Sequence, residues 1–367
     1  MKEVKAYRCE FCGKVFLRKN TCEKHEKNGC SKIPKNRALC YKCKYYHIAN
    51  INEVKDVELV MKIGLIDVDG HNSFPNFALM RIAGYYKSNG ILCEVANKGL
   101  FKSYYDEIYA SKVFTFSKDI ETIDYHAGVI HRGGTGYDIK SMLPKEIEQS
   151  LKMDYSIYPR CDYSVQFFSR GCIRSCPFCL VSEKEGYIHP VEPVELNPKG
   201  RRIEVLDNNF FANPKWGEAV EYLRKVNQPV NFHGVDVRIM DEAQAEALNS
   251  LKIKGDIHIA WDLPDIDLSR QIEAMTKYIN KNKIVCYVLV GFNSTVQQDI
   301  DRLNTLKRLG VVPFVQPYRD FENNVKPTQY QLDLAQWANK RMIFMTCDFK
   351  DFKPRKGFKC GEYLKEL

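Results

Sequence analysis

Short apolar runs alternate along the chain with segments whose apolar residues recur at helical spacing. In the first half, NFALMRIAGYYKSNG has this helical spacing and a stop at Gly90, and apolar runs typical of buried strands flank it. The predicted strands lie in VELVMKIGLIDVDG, ILCEVAN, YDEIYASKVF and HAGVIHRGGTGYDI, the last of which opens into a glycine turn. Elements in this order predict an open parallel α/β sheet over residues 55–150.

The same alternation continues in the second half and gives six strand–helix units. The predicted strands lie in DYSVQFFS, RIEVLDNN, VNFHGVDV, DIHIAWD, KIVCYVLVGF and VVPFVQPY. Helical segments such as MDEAQAEALNSL and TVQQDIDRLNTLKRLG separate these strands. Because a closed barrel of this type has eight units, six units predict an open or partial barrel.

The composition of the 367 residues is that of a soluble globular protein. The longest apolar run, IVCYVLVGF, is far too short to span a bilayer, and the start MKEVKAYRCE lacks the apolar core of a signal peptide. We therefore expect a cytoplasmic protein without a membrane partner. In a reducing cytosol, fourteen cysteines bunched in CxxC and CxxxCxxC spacings favour metal ligation over disulfides.

The charge is concentrated at the start of the chain. Residues 1–50, which we call the basic head, hold thirteen Lys/Arg and four Glu, so their net charge is 13 − 4 = +9, equal to that of the whole chain. A basic head on a neutral body favours a polyanionic partner, tRNA or DNA first. The alternative is a solvated terminus that serves protein contacts or solubility only.

Three cysteines, Cys172, Cys176 and Cys179, stand between a predicted strand and a predicted helix. That position is the carboxyl end of a strand, where barrel folds place their chemistry. Three thiolates can hold three irons of a 4Fe-4S cluster and leave the fourth iron open to another ligand. The alternatives are a structural zinc site, which requires four ligands, or three packed thiols.

Together with Phe178, the three cysteines match the CxxxCxΦC signature, and the segment resembles the radical S-adenosylmethionine (SAM) superfamily over about residues 160–350. The resemblance implies that the open iron chelates SAM, that an electron from a flavodoxin- or ferredoxin-type donor cleaves SAM, and that the resulting 5′-deoxyadenosyl radical attacks a substrate. In such enzymes the protein positions the reactants and excludes side reactions.

The resemblance also implies cofactor contacts at the ends of the barrel strands. Phe178 is expected to border the adenine of SAM, and LDNNFF occupies the place of the GGE stretch that contacts the SAM amino group in the family. Arg238 is expected to pair with the SAM carboxylate, and Gly291 to let the backbone approach the adenine. The full set of expected cofactor-binding residues is Phe178, Asp207, Asn208, Asn209, Arg238, Gly291 and Gln316. The alternative for each is ordinary packing at the barrel rim.

The flanks of the cysteine segment resemble the methylthiotransferase and cobalamin-associated branches of the superfamily, which place a Rossmann-like domain before the barrel. Residues 55–150 contain only Cys93, so a second cluster there is not expected. The cobalamin motif DxHxxG is absent, and DVDGHN offers His71 at the wrong spacing, which favours a retained fold without cobalamin over cobalamin binding. The resemblance implies a Rossmann-like domain at 51–155, the radical SAM barrel at 156–330 and a C-terminal helix and tail at 331–367.

The basic head contains the spacing of a ββα zinc finger. Its four expected zinc ligands are Cys9, Cys12, His25 and Cys30, with Phe16 at the core aromatic position of such fingers. Counting from His25 places Arg18, Thr21 and Lys24 where a finger reads bases. Cys40 and Cys43 form a second, weaker CxxC that lacks an evident full ligand set.

The sequence therefore predicts an α/β protein: a small zinc finger, a Rossmann-like parallel sheet and a partial (β/α)6 TIM-type barrel. The predicted function is a radical SAM enzyme with a 4Fe-4S cluster, SAM and zinc, acting on nucleic acid. One alternative is a radical SAM enzyme that acts on a small molecule or peptide. The other is a non-enzymatic iron–sulfur or zinc protein that senses and binds nucleic acid. No residue is predicted to be catalytic.

Overall fold

The computed structural model describes residues 61–70, 74–98, 103–320 and 323–365, together with the backbone of three short strands nearer the start. The chain divides into two compact units, Met1–Met61 and Lys62–Leu367. In the first unit, β1 (Ala6–Arg8) pairs antiparallel with both β2 (Val15–Phe16) and β3 (Ile48–Ala49). The expected zinc ligands lie outside the described residues: Cys9, Cys12, His25, Cys30, Cys40 and Cys43.

The second unit opens with a four-stranded parallel sheet, which we call the first sheet. Its strands are β4 (Lys62–Asp67), β5 (Leu92–Val95), β6 (Tyr104–Ser111) and β7 (His126–Gly133), in the order β5-β4-β6-β7. Helix α1 (Phe77–Ser88) connects β4 to β5 and begins at Asn76, whose side chain accepts the amide hydrogen of Leu79. The predicted parallel α/β sheet is confirmed.

Two three-stranded parallel sheets follow, and their six strands are those predicted from the second half of the chain. The strands of this region, in chain order, are β8 (Ser164–Gln166), β9 (Ser169–Arg170), β10 (His189–Pro190), β11 (Ile203–Val205), β12 (Val230–Phe232), β13 (Ile257–Ala260), β14 (Ile284–Val290) and β15 (Val312–Pro317). The second sheet has the order β12-β11-β8 and the third β13-β14-β15. His258 of β13 lies 3.3 Å from the carbonyl oxygen of Phe232 in β12, so the two sheets adjoin.

Helices connect these strands as their apolar spacing predicts. They are α2 (Lys145–Glu148), α3 (Val181–Glu185), α4 (Trp216–Val226), α5 (Glu242–Asn249), α6 (Ser269–Thr276), α7 (Val296–Leu309), α8 (Gln329–Ala338) and α9 (Arg341–Thr346). Capping boxes start α5, α7 and α8, because Asp241, Thr295 and Thr328 each stand three residues before a glutamine. The C-terminal helix expected from the sequence is a pair, α8 and α9.

The main core lies where these helices cover the outer faces of the second and third sheets. Strand β14 alternates accordingly: Ile284, Cys286, Val288 and Val290 are fully buried, and the residues between them are half-buried. Trp337 of α8 is fully buried in this core. Within the described part of the chain, no helix combines the length and apolar character needed to cross a membrane. The domain boundaries at residues 50, 155 and 330 stay predictions.

Candidate active site

The three cysteines of the CxxxCxxC segment lie on one loop, which we call the cysteine loop. It runs from the end of β9 to the start of α3, and β9 pairs antiparallel with β10 beyond it. The amide of Cys172 donates to the carbonyl oxygen of Gly186 at 3.2 Å, and that of Cys179 donates to the carbonyl oxygen of Cys176 at 3.0 Å. The first bond therefore closes the loop at its base, and the second forms a turn between Cys176 and Cys179.

Gly171 stands at the base of the loop in a conformation that favours glycine. Its φ is +80°, and a Cβ atom there would lie 2.6 Å from the carbonyl oxygen of Tyr187 and 2.7 Å from that of Gly186. Contacts this short force backbone to move, so the close approach of the two loop ends depends on the missing side chain. This explains the RGC sequence immediately before the first cysteine of the motif.

The three thiols form a donor set that suits an iron–sulfur cluster. All three are free and half-buried, and the amide of Arg174 donates to the Cys172 sulfur at 3.4 Å. Burial raises the pKa of Cys176, and the positive charge of Arg238 opposes that rise. In the part of the chain that the structure describes, no three His, Cys, Asp or Glu residues are close enough to share one metal ion. In a 4Fe-4S cluster each thiolate binds a different iron.

Glu185 joins the two ends of the cysteine loop. Its carboxylate accepts hydrogen bonds from the guanidinium of Arg170 at 2.5 Å, the backbone amide of Gly171 at 2.8 Å and the side-chain amide of Asn208 at 3.0 Å. Only 15% of the Glu185 side chain is exposed, so these charge-assisted bonds are partly shielded from water. Asn208, one of the residues expected to contact SAM, thus ties the loop to the end of β11.

Asp207 supports the same loop from below. Its carboxylate oxygens accept from the amide of Phe168 at 2.9 Å and from the hydroxyl of Ser169 at 2.5 Å. Burial raises the pKa of Asp207 to about 6 although both of these hydrogen bonds favour the charged form. Asp207 is 1% exposed. Through these two buried hydrogen bonds its carboxylate fixes the start of β9, the strand that leads into the loop.

A charged network connects the cysteine loop to the end of β12. Asp236 accepts from Arg238 Nε at 2.7 Å, from Arg174 Nε of the loop at 2.7 Å and from Asn209 Nδ2 at 3.2 Å. Burial alone would raise the pKa of Asp236, but the hydrogen bonds from the two arginines outweigh it and keep this pKa below its usual range. The Oδ1 atom of Asn209 is buried and has no hydrogen-bond partner among the described residues.

A narrow cleft opens beside the loop, lined by Cys176, Phe178, Arg238 and Asp262. Asp262 lies two residues after β13 and accepts the amide hydrogen of Leu289 at 3.2 Å. Burial raises the pKa of this carboxyl. The cleft therefore brings one thiol, an aromatic ring and both signs of charge together beside the loop.

Aromatic contacts extend from the cleft to the ends of β14 and β15. The rings of Phe178 and Phe292 meet edge to face at 5.3 Å, and those of Phe292 and Tyr318 at 5.0 Å. Gly291, immediately before Phe292, has a φ of +81° and so turns the chain out of β14. Gln316 is exposed near the end of β15. Phe178, Gly291 and Gln316 are thus at the same edge of the sheets.

A second polar cluster lies on β11 and β12. Glu204 is 4% exposed and accepts from His233 at 2.8 Å, Asn231 at 2.7 Å and Arg202 at 2.6 Å. Burial alone would raise the pKa of Glu204, but these hydrogen bonds lower it to about 2. The ring of His233 stacks at 6.0 Å on that of His258 in β13, so polar groups continue across the junction of the two sheets.

Comparison with known proteins places this geometry in context. No protein-family model matches the sequence, and no curated protein matches it either. Among solved structures, the chain is similar to the radical S-adenosylmethionine methyltransferase TsrM from Kitasatospora setae, solved with cobalamin and a 4Fe-4S cluster bound. The similarity has a TM-score of 0.52, covers 71% of this chain and 75% of that chain, and has 10% sequence identity. The two chains share a fold.

The structure gathers part of the predicted site and leaves the roles of its residues as predictions. Cys176, Phe178 and Arg238 line one cleft, whereas Asp207 and Asn208 contact the cysteine loop. Asn209 joins the charged network around Asp236, and Gly291 and Gln316 lie at the ends of neighbouring strands.

Three residues of the site were not singled out from the sequence: Arg174, Glu185 and Phe292. Two of them carried a usable signal. Arg174 is a cation between two predicted ligands, and Glu185 is the last helical residue before Gly186, which has a φ of +73°. Phe292 follows the glycine predicted to approach adenine, but nothing in its sequence context distinguishes it from a core residue.

Proposed function

We propose that the protein is a radical SAM enzyme that holds one 4Fe-4S cluster on Cys172, Cys176 and Cys179. The observation that carries the proposal is the cysteine loop: three free thiols follow β8 in a fold shared with a radical SAM methyltransferase. The six parallel strands β8 and β11 to β15 supply the partial barrel of the proposal. When bound, the cluster supplies the electron that cleaves the sulfonium bond of SAM.

The residues around the cleft position SAM in this proposal. The guanidinium of Arg238 is available to the SAM carboxylate on its cleft side, while Asp236 fixes its orientation at 2.7 Å. Phe178, held edge to face by Phe292, offers an apolar surface to the adenine. Asp262, on the same cleft, is placed to accept from the SAM amino group. Among the described residues, the buried Oδ1 atom of Asn209 is a second acceptor without a hydrogen-bond partner.

Cobalamin is not part of the proposal. The methyltransferase of similar fold was solved with cobalamin, whereas the present sequence lacks the DxHxxG motif. Cobalamin binding stays the alternative, and titration with hydroxocobalamin tests it.

Anaerobic reconstitution with iron and sulfide, followed by reduction in the presence of SAM, tests the proposal. We expect about four irons per chain and production of 5′-deoxyadenosine. The variant with Cys172, Cys176 and Cys179 all changed to Ala should lose both together, whereas Cys161→Ala, outside the loop, should retain both. A reconstituted protein that holds the cluster and does not cleave SAM would support the non-enzymatic sensor instead.

We further propose that the basic head binds zinc and docks nucleic acid as the substrate. Support comes from the finger spacing and from the +9 charge of residues 1–50 on an otherwise neutral chain. Zinc analysis of the triple alanine variant tests the first part, because zinc held by the head should remain when the iron is lost. A variant free of both metals would contradict it. If the substrate is instead a small molecule or peptide, turnover will not respond to added tRNA or DNA.

A further inference from the structure

A cavity of about 800 Å³ lies beside the flanks of the cysteine loop, and it shares no lining residue with the cleft. Its walls are the carboxyl ends of β6 and β7, the first turn of α1 and the flanks of the cysteine loop. In the strand order β5-β4-β6-β7, the chain passes from β4 to β5 on one side and then crosses to β6 on the other, so the order reverses between β4 and β6. Ligands of parallel α/β sheets bind near the carboxyl ends of the strands at such a reversal. The volume is that of a site for a small organic molecule.

The charges that line this cavity are predominantly positive. Arg81, Arg132, Arg170 and Lys184 face two carboxylates, Glu148 and Glu185. Glu148 is engaged by Arg81 at 3.1 Å, and Glu185 holds Arg170 and the base of the cysteine loop. The two carboxylates are thus already used by Arg81 and Arg170, and Arg132 lies 3.8 Å from the carboxylate of Asp119, so Lys184 is the cation of this lining that is left for a ligand.

Lys184 and Arg81 carry the unused hydrogen-bonding capacity. Lys184 donates to the carbonyl oxygen of Ser141, and it has no carboxylate within ion-pair distance in the described ranges. Arg81 is 9% exposed, and while its Nη1 atom bonds Glu148, its buried Nε–H finds no acceptor among the described residues. A buried donor left unpaired is costly. Since this Nε atom is itself closed off from the cavity, the Arg81 guanidinium would act on a ligand there through its charge.

The first turn of α1 adds a further anion-binding feature. Phe77, Ala78 and Leu79 line the cavity, and the first-turn amides of a helix have no acceptors within the helix. Asn76 satisfies only the amide of Leu79, and the turn contains no acidic residue. The positive end of this twelve-residue helix therefore faces the same space as Arg81.

Apolar residues complete the cavity: Ile82, Ile130, Met142, Leu143 and Pro144. Met142 is 68% exposed, which leaves apolar surface for a ligand to cover. Gly133, the last residue of β7, and Gly134 line the cavity without adding a side chain to it. A matching ligand carries an anionic group on an apolar, ring-sized body.

We propose that this cavity binds an organic phosphate of nucleotide size, with Arg81, Lys184 and the first turn of α1 facing its phosphate. Phosphate is the anion that suits both an arginine fork and a helix N-terminus. The site is separate from the cleft beside Cys176 and does not depend on the proposed SAM chemistry. Because Arg170, Lys184 and Glu185 belong to the flanks of the cysteine loop, a bound ligand would also brace that loop.

Calorimetric titration of the full-length protein with AMP, GMP, CMP and UMP tests the proposal. We expect at least one of them to bind at one molecule per chain, and the matching nucleoside and inorganic phosphate each to bind at least ten-fold more weakly. Lys184→Met, which keeps an apolar stem, should weaken binding at least ten-fold. Arg132→Gln, on β7, should also weaken it, and Lys215→Met, on the surface next to α4, should leave it unchanged.

Binding by none of the four nucleotides would overturn the proposal, as would equal affinity for nucleoside and nucleotide. Unchanged affinity in both Lys184→Met and Arg132→Gln would overturn it too, as would displacement of the bound nucleotide by hydroxocobalamin at equimolar concentration. Iron content and 5′-deoxyadenosine are measured separately in the same preparations. Nucleotide binding without SAM cleavage would therefore contradict the proposed function and still support this nucleotide site.

Discussion

The carboxylate of Glu185 accepts the backbone amide hydrogen of Gly171 at 2.8 Å, so the last residue of α3 holds the residue that precedes Cys172. The two residues are fourteen apart in sequence and bracket all three cysteines. A cluster bound to the loop would be held by thiolates whose backbone is fixed at both ends. The hydrogen bond thus joins the glycine turn before the cysteines to the end of the short helix after them, and so it fixes the geometry of the proposed metal site.

Removal of the Glu185 carboxylate should weaken the hold on the cluster without removing a ligand. In Glu185→Ala, the buried Gly171 amide loses its acceptor, which costs roughly 1–3 kcal/mol. The partly exposed Arg170 guanidinium loses its ion pair as well. We expect iron to be lost to a chelator several-fold faster than from the parent protein. Glu183→Ala, two residues earlier on the exposed side of α3, is the matched control and should release iron at the parental rate. Equal rates in all three proteins would show that the contact is not needed.

A methyl group at Gly171 should disrupt the loop more severely. Gly171→Ala places a Cβ atom 2.6 Å from the carbonyl oxygen of Tyr187, in addition to the strain of a positive φ. Gly90→Ala is the control, because Gly90 also has a positive φ, +74°, but has no atom within 4 Å of the added carbon. We expect Gly171→Ala to reconstitute with less than a tenth of the parental iron and Gly90→Ala with nearly all of it. Similar iron content in the two variants would mean that φ alone, and not contact between the loop ends, decides the effect.

Much of this fold could be predicted from the sequence, since burial leaves a regular pattern. The alternation in β14 and the capping boxes of α5, α7 and α8 are local signals, and the predicted elements lie where the structure has them. The cysteine loop was predicted because ligand spacing is also local. The contacts that shape the site are not local: Arg174 meets Asp236 across 62 residues of sequence. Such pairs depend on which strand ends adjoin, and local patterns in the sequence do not reveal that.

The pH dependence of stability should report on Asp207. Its pKa in the folded protein, about 6, lies above the value of about 3.9 typical of unfolded chains. The stability that protonated Asp207 contributes is therefore full below about pH 4 and is lost as the pH rises through 6. In Asp207→Asn this loss disappears, so the free energy of unfolding of the variant should improve relative to the parent by about 2 kcal/mol between pH 4.5 and 7.

Chemical denaturation of the protein before cluster reconstitution measures this difference at the two pH values. Asp301→Asn, on the exposed face of α7, is the matched control and should shift by less than about 0.5 kcal/mol. A constant difference between Asp207→Asn and the parent at both pH values would mean that Asp207 titrates normally in the folded protein.

The salt dependence of nucleic-acid binding should reveal whether the basic head is the part of the chain that contacts the nucleic acid. Each lysine or arginine on a phosphate releases condensed counterions, so log affinity falls with log salt by about 0.9 per contact on duplex DNA and about 0.7 on single strands. Three to five contacts would lower the affinity for duplex DNA roughly 10²-fold between 50 and 200 mM salt. In the variant with Arg18→Glu and Lys24→Glu, two of the cations that a finger offers to nucleic acid become repulsive, and both the affinity and the slope should fall.

The matched control changes the same amount of charge elsewhere: Lys225→Glu with Lys277→Glu, both exposed on the second unit, should leave the slope as it is. SAM cleavage without nucleic acid should be the same in both double variants, because neither touches the cysteine loop. Titration with tRNA and with duplex DNA at the two salt concentrations distinguishes the partners. If the control pair lowers the slope as much as the head pair does, nucleic-acid binding is spread over the chain. If the parent protein binds neither nucleic acid, a small-molecule or peptide substrate is the better proposal.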